Sequence, residues 1–243
     1  MEPNDFEKAV QILNDSKYVI ALTGAGVSRE SNVPTFRGKD GLWRNYDAME
    51  LATPEAFAND PKTVWEWYTW RQGLIGECDP NAAHETLVEF EQTGLLKSLI
   101  TQNVDGLHRR AGSENVLEVH GNLWAMKCTS CDHRDRLTSP AEGIPNCPQC
   151  GSYLRPDVVW FGEQLDPSIM NKVYNELEKA DTIMVIGTSA LVHPAASFPL
   201  VIRQQGGNII EMNVEKTPLT SYSSVHLSGK AGEVLPRLNA LLL

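Results

Sequence analysis

The feature that most constrains this chain is a repeating unit. A short apolar, β-branched run stops at glycine or a polar cluster, and a helical pattern follows. Lys17–Thr23 reads KYVIALT and ends in Gly24-Ala25-Gly26, a buried strand entering a glycine turn. Similar runs recur at Leu96–Thr101, Val116–Val119, Asp157–Trp160, Thr182–Ile186 and Asn208–Met212. Helical patterns occupy Asn81–Glu91, Pro167–Lys179 and Ala195–Gln204. Unbroken apolar runs belong to strands buried on both faces, and helices between them supply the crossovers of a parallel sheet. The expected fold is α/β, with a Rossmann-like, mostly parallel sheet.

Two stretches break the rhythm. Gly38–Glu77 lacks a strand signal but holds an aromatic helical segment around Val64–Leu74. Gly121–Leu154 carries four cysteines and a second half rich in proline and glycine. Both read as insertions that build a smaller zinc-binding and helical lobe, 38–77 and 121–154. The core then comprises 1–37, 78–120 and 155–243 of a single domain.

Net charge is -10, which argues against direct nucleic-acid binding, since phosphate neutralisation needs excess Lys and Arg. An acidic surface still suits basic peptides. No apolar run approaches the ~20 residues needed to span a bilayer. Met1–Ser16 is polar, with Phe6, Val10 and Leu13 at helical spacing, and lacks the pattern of a signal peptide. A cytoplasmic protein with no membrane partner is expected.

Cys128-x2-Cys131, fifteen intervening residues and Cys147-x2-Cys150 form a metal-ligand pattern. Each CxxC sets two thiolates on one tight turn, and two turns complete a tetrahedral zinc shell. Two disulfides or four reduced thiols are the alternatives. Four sulfurs leave no open position for water, so such a zinc is structural and chemistry lies elsewhere.

Gly24-Ala25-Gly26 has room to bring backbone N–H groups to a pyrophosphate, or it is a plain tight turn. The full GxGxxG pattern is absent, because Arg29 stands at the third glycine's place. Polar clusters follow other strands: Ser31–Gly38 (SNVPTFRG), Thr101–His108 (TQNVDGLH), His120-Gly121, Val159–Glu163 (VWFGE) and Gly187-Thr188-Ser189. All but the first sit at C-terminal strand ends, the edge where open α/β sheets bind ligands.

From about Ile20 to the C-terminus, these motifs resemble the sirtuin family: GAGVS, VPTFRG, TQNVDGLH, HG, the paired CxxC units, VVWFGE and GTS, in the family's order. Asn32 departs from the pattern, since most members carry glycine there; asparagine tolerates positive φ. The resemblance implies NAD as co-substrate, one structural zinc, and acyl-lysine proteins or peptides as partners. The family joins the acyl oxygen to the ribose carbon that loses nicotinamide. A histidine then takes a ribose proton, and water releases free lysine and an acyl-ADP-ribose. His120 matches that base, and its ordinary pKa of about 6.5 suits the task. An isolated histidine there would otherwise be a hydrogen-bonding partner. Asn103 and Asp105 match the pair that holds the nicotinamide ribose and carboxamide; Asp105 also reads as a helix cap. Gly24, Ala25, Gly26, Phe36, Arg37, Gln102, Val104, Gly187, Thr188, Ser189, Asn213 and Ala231 match NAD-contacting positions. Val159, Phe161, Gly162 and Glu163 on one side, with Val192 on the other, match edges that sandwich the peptide as an added strand.

Val64–Gln72 reads VWEWYTWRQ, and Tyr68 and Arg71 share a helical face. On spacing alone this is a core tyrosine beside a solvated arginine. The segment resembles the class III branch, which removes succinyl, malonyl and glutaryl groups, and Ala52 matches that branch's small pocket residue. The expected activity is deacylation of succinyl-, malonyl- and acetyl-lysine. A plain deacetylase, a mono-ADP-ribosyltransferase and a non-catalytic zinc module are the alternatives.

Overall fold

The computed structural model describes residues 4–33 and 48–242. The chain opens with α1 (Asp5–Asp15), fixed by a capping box in which the Asn4 side chain and the Glu7 backbone N–H, and the Glu7 carboxylate and the Asn4 N–H, pair reciprocally. The elements that follow are β1 (Val19–Thr23), a 3-10 turn at Ala25–Ser31, α2 (Ala48–Leu51), α3 (Pro54–Asn59), α4 (Pro61–Gly76) and α5 (Ala82–Gln92). Then come β2 (Leu96–Thr101), α6 (Leu107–Ala111), β3 (Val116–Glu118), β4 (Gly121–Cys128), β5 (Arg134–Arg136) and β6 (Leu154–Val158). The C-terminal third holds α7 (Pro167–Lys179), β7 (Thr182–Ile186), α8 (Phe198–Gln204), β8 (Asn208–Asn213), β9 (Val225–Ser228) and α9 (Ala231–Leu242).

Six strands form a parallel sheet in the order β3-β2-β1-β7-β8-β9. Side chains alternate between its faces, so β1 alone feeds two cores. Ala21 joins Leu13, Leu87, Phe90, Met184, Ile210 and Leu235 on one face. Ile20 and Leu22 join Val173, Leu177, Ile183, Phe198 and Ile202 on the other. The strand order reverses between β1 and β7, which opens a crevice at their C-terminal ends.

The second sheet, β5-β4-β6, is antiparallel. The strand expected at Asp157–Trp160 lies earlier, at Leu154–Val158, and pairs with β4 instead of with the parallel sheet. Arg155 and Pro156 disguise it, because a charge and a proline break the apolar run. β4 and β9 escape a reading for apolar runs for similar reasons: GNLWAMKC is mixed and VHLS is a short edge strand. The helix expected over Ala195–Gln204 begins as a 3-10 turn, with α8 proper starting at Phe198. A third apolar cluster of Phe57, Trp65, Trp67, Tyr68, Leu123, Met126 and Trp160 packs α3 and α4 on the small sheet. No described helix is long and apolar enough to cross a membrane.

Candidate active site

One cavity at the C-terminal edge of the parallel sheet takes in the turns after β1, β2 and β7, the His120 corner and the segment after β6. It brings together Gly24, Ala25, Gly26, Gln102, Asn103, Val104, Asp105, His120, Gly187, Thr188 and Ser189. Ala52, Tyr68, Arg71, Val159, Phe161, Gly162, Glu163 and Val192 line the same space. Phe36 and Arg37 lie outside the described residues. Asn213 and Ala231 end β8 and begin α9 at the same edge; Asn213 reaches the cavity wall by donating from Nδ2 to the Thr188 carbonyl at 2.9 Å.

The glycines serve loop packing. The Gly24 N–H is spent on the Ile186 carbonyl at 3.0 Å, and the Gly26 N–H on the Gly187 carbonyl at 2.8 Å. A Cβ on Gly26 would stand 2.7 Å from the Gly187 Cα, and one on Gly187 would stand 2.6 Å from the Val27 nitrogen. The turns after β1 and β7 thus touch backbone to backbone, which only glycine permits. Asn32 closes the 3-10 turn at φ 62°, the left-handed conformation that asparagine tolerates.

Asn103 and Asp105 are buried and meet at one hydroxyl. Ser28 Oγ donates to Asp105 Oδ2 at 2.8 Å and accepts from Asn103 Nδ2 at 3.1 Å. Asp105 Oδ1 accepts the Leu107 N–H at 2.9 Å, so the carboxylate caps the start of α6 and faces the cavity together. Burial raises its pKa. Behind it, His84 Nδ1 accepts the Asn81 N–H at 3.2 Å, which leaves Nε2 carrying the proton, 3.4 Å from Ser28 Oγ. Burial drops the pKa of His84 to about 4. His108, 4.8 Å away between ring centroids, lies beside Thr23 Oγ1 at 2.9 Å and is likewise depressed. Motif reading does not single out His84; its place three residues after the Asn81 cap is the one sequence signal that points to it.

His120 is half-buried, and its Nδ1 lies 3.0 Å from the Gln102 carbonyl. A carbonyl only accepts, so Nδ1 holds the ring's proton and Nε2 keeps a free lone pair. Burial lowers the pKa, which keeps the ring neutral at pH 7. A neutral imidazole with an unengaged Nε2 is able to accept a proton.

The segment after β6 is pinned from three directions. The Val159 N–H donates to the His120 carbonyl and the Phe161 N–H to the Ala52 carbonyl, both at 2.9 Å. Glu163 faces inward: it takes Arg155 bidentately at 2.5 and 3.0 Å and the Trp160 N–H at 2.9 Å. The Arg155 guanidinium stacks 3.2 Å from the Trp160 ring centroid. Phe161 and Val192 remain exposed.

At the far end, Tyr68 and Arg71 are buried on α4, against the expectation of a solvated arginine from spacing alone. The Arg71 guanidinium lies over the rings of Trp67 and Tyr68, at 4.8 and 5.7 Å. Tyr68 Oη accepts the Trp160 indole N–H at 2.8 Å.

The four cysteines lie apart from this cavity. Their sulfurs all fall within 4.8 Å of one another, with Cys128–Cys150 at 3.4 Å and Cys131–Cys147 at 3.6 Å. None forms a disulfide. A tetrahedron of ~2.3 Å Zn–S bonds has edges of about 3.8 Å, so this set fits a closed structural zinc site. Gly151 at φ 78° ends the second turn.

The family model described as "Sir2 family" matches residues 24–194. The "NAD-dependent protein deacylase 1" of Archaeoglobus fulgidus is 53% identical over 234 residues, 96% of each chain. The "NAD-dependent protein deacylase" of Pyrococcus furiosus is 52% identical over 235 residues, 94% of each chain. Among solved structures, a Sir2 homolog–NAD complex superposes with a TM-score of 0.93 at 52% identity, covering 97% of this chain and 93% of that one. The fold, the cavity at the sheet's carboxyl edge and the agreement along the sequence all converge: the chain belongs to the Sir2 family.

Proposed function

We propose that this chain is an NAD-dependent protein lysine deacylase that removes short acidic acyl groups as well as acetyl. The observation that carries the first part is the free Nε2 of a neutral His120 in the same cavity as Asn103 and Asp105. NAD supplies an electrophilic ribose carbon when bound. The glycine turns, Gln102, Thr188 and Ser189 would line its phosphates and ribose, while Asn103 and Asp105 would hold the nicotinamide end. Asp105 has one oxygen engaged by Ser28 and the other by Leu107. Each carboxylate oxygen has a second lone pair, so it still accepts an amide N–H. His120 would take the ribose proton at Nε2. The exposed edges at Phe161 and Val192 would bind an extended acyl-lysine peptide between them.

The second part rests on the cavity's far end. Tyr68 Oη already accepts from Trp160, so its own proton is what it offers a ligand. Arg71 contributes only donors. With Ala52 small on the adjoining wall, this end presents donors, and a carboxylate matches a guanidinium with two parallel bonds. Incubation with NAD and matched acetyl- and succinyl-lysine peptides, followed by mass spectrometry, tests both parts. Free lysine peptide and acyl-ADP-ribose are expected from both substrates. ADP-ribose attached to protein instead would mark a transferase, and turnover of acetyl peptide alone would remove the acidic preference.

A further inference from the structure

Glu211 is the anomaly of the parallel sheet. It lies in the interior of β8, between Val185 of β7 and His226 of β9, and is 1% exposed. Its neighbour on the same face, Ile209, belongs to an apolar cluster with Val185 and Leu219. A carboxylate in such a place costs several kcal/mol unless hydrogen bonds satisfy it. Three groups do so. The Thr217 hydroxyl donates to Oε1, the Thr220 hydroxyl donates to Oε2 at 2.6 Å, and His226 Nδ1 lies 2.9 Å from Oε2.

Both threonines belong to the connection between β8 and β9. Each hydroxyl also accepts a backbone N–H from that turn: Thr217 Oγ1 from Leu219 at 3.1 Å, and Thr220 Oγ1 from Thr217 at 2.9 Å. The carboxylate therefore shapes the turn through its side chains. Residues two apart on a strand share a face, so Glu211 lies directly behind Asn213. Asn213 closes the start of the connection by accepting the Val214 N–H at 2.9 Å, and its carbonyl accepts the Gly229 N–H two residues before Ala231. The connection tied to Glu211 therefore begins at Asn213, whose side chain meets the cavity wall at the Thr188 carbonyl.

We infer that Glu211 is a positioning residue for the dinucleotide. Through Thr217, Thr220 and His226 it holds the 214–224 connection, and with it Asn213 and the approach to Ala231, in the shape that supports the Thr188 wall of the cavity. This rests on the reading of the cavity as an NAD site. It assigns Glu211 no contact with the ligand or the reacting atoms.

The test is ADP-ribose binding by calorimetry, alongside steady-state kinetics. Thr220→Val and Glu211→Gln are expected to weaken ADP-ribose binding at least tenfold and to raise KM for NAD in step. KM for the acyl peptide should hold within twofold. Thr220→Ser, which keeps the hydroxyl, should restore wild-type affinity, and it keeps the test decisive if Glu211→Gln fails to fold. Wild-type-like affinity in Thr220→Val, or equal loss of NAD and peptide affinity, overturns the inference. Failure of the wild-type protein to bind ADP-ribose overturns the NAD reading and this inference with it, and is distinguished because no variant is needed to see it.

Discussion

At the scale of single residues, protonation decides the chemistry. In the proposed reaction His120 would act as a base only when neutral, and burial lowers its pKa below the ordinary 6.5. Its neutral fraction therefore rises as pH passes through a value below 6.5, and the neutral form predominates at pH 7. The acid limb of kcat/KM should fall below pH 6.5. His120→Tyr should abolish turnover while ADP-ribose binding survives; a limb above pH 7, or near-normal turnover in the variant, would remove His120 from the mechanism. The proposed part of Arg71 in acyl choice works by a different route. Charge-assisted hydrogen bonds are worth roughly 1.5–3 kcal/mol, and ~1.4 kcal/mol is about tenfold. Arg71→Met should cut succinyl-peptide efficiency at least about tenfold and leave acetyl efficiency level or raised. Tyr68→Phe should shift the ratio the same way, less strongly. An equal loss on both substrates would reassign Arg71 to holding the aromatic cluster together.

Between elements, the four-cysteine lobe supports the Tyr68–Arg71 end of the cavity. The buried Gln72 side chain on α4 donates to the Leu123 carbonyl of β4 at 2.7 Å and accepts the Ala141 N–H at 3.1 Å. The Trp65 indole donates to the Leu154 carbonyl of β6 at 2.9 Å. Tyr68 and Arg71 sit on that same helix, so their placement depends on a sheet that a zinc on the four cysteines would organise. Structural zinc contributes folding free energy outright. Cys128→Ala or Cys147→Ala should lower the melting temperature and the acyl-peptide turnover. ADP-ribose binding should fall less, because its turns are held by the parallel sheet. Full turnover in metal-free protein would break this link.

For the whole molecule, buried neutral histidines tie stability to pH. His84 falls from 6.5 to about 4, and His108 and His120 shift the same way. The unfolded chain then binds more protons than the folded one between those values, so stability drops as pH falls from about 6.5 toward 4. At ~1.4 kcal/mol per pKa unit, His84 alone accounts for about 3 kcal/mol across that window. Melting temperature should decline steadily below pH 6.5, and His84→Asn should flatten the decline; a profile flat down to pH 4.5 would contradict it. The sequence by itself determined five of the six strands of the parallel sheet, β1, β2, β3, β7 and β8, since these are continuous apolar runs whose burial needs no knowledge of partners, while the short edge strand β9 escaped it. It also marked the four cysteines that cluster as a metal site, because each CxxC is a local turn, and the family motifs marked His120, Asn103 and Asp105, which line one cavity. Only the tertiary structure decided which residues answer one another. Arg155 meeting Glu163 across Trp160, Tyr68 accepting from Trp160, His84 backing Ser28 and Glu211 gathering two threonines all join residues that periodicity does not connect. Buried polar groups must find partners wherever the chain brings them, and those meetings are set by the packing of whole elements against each other.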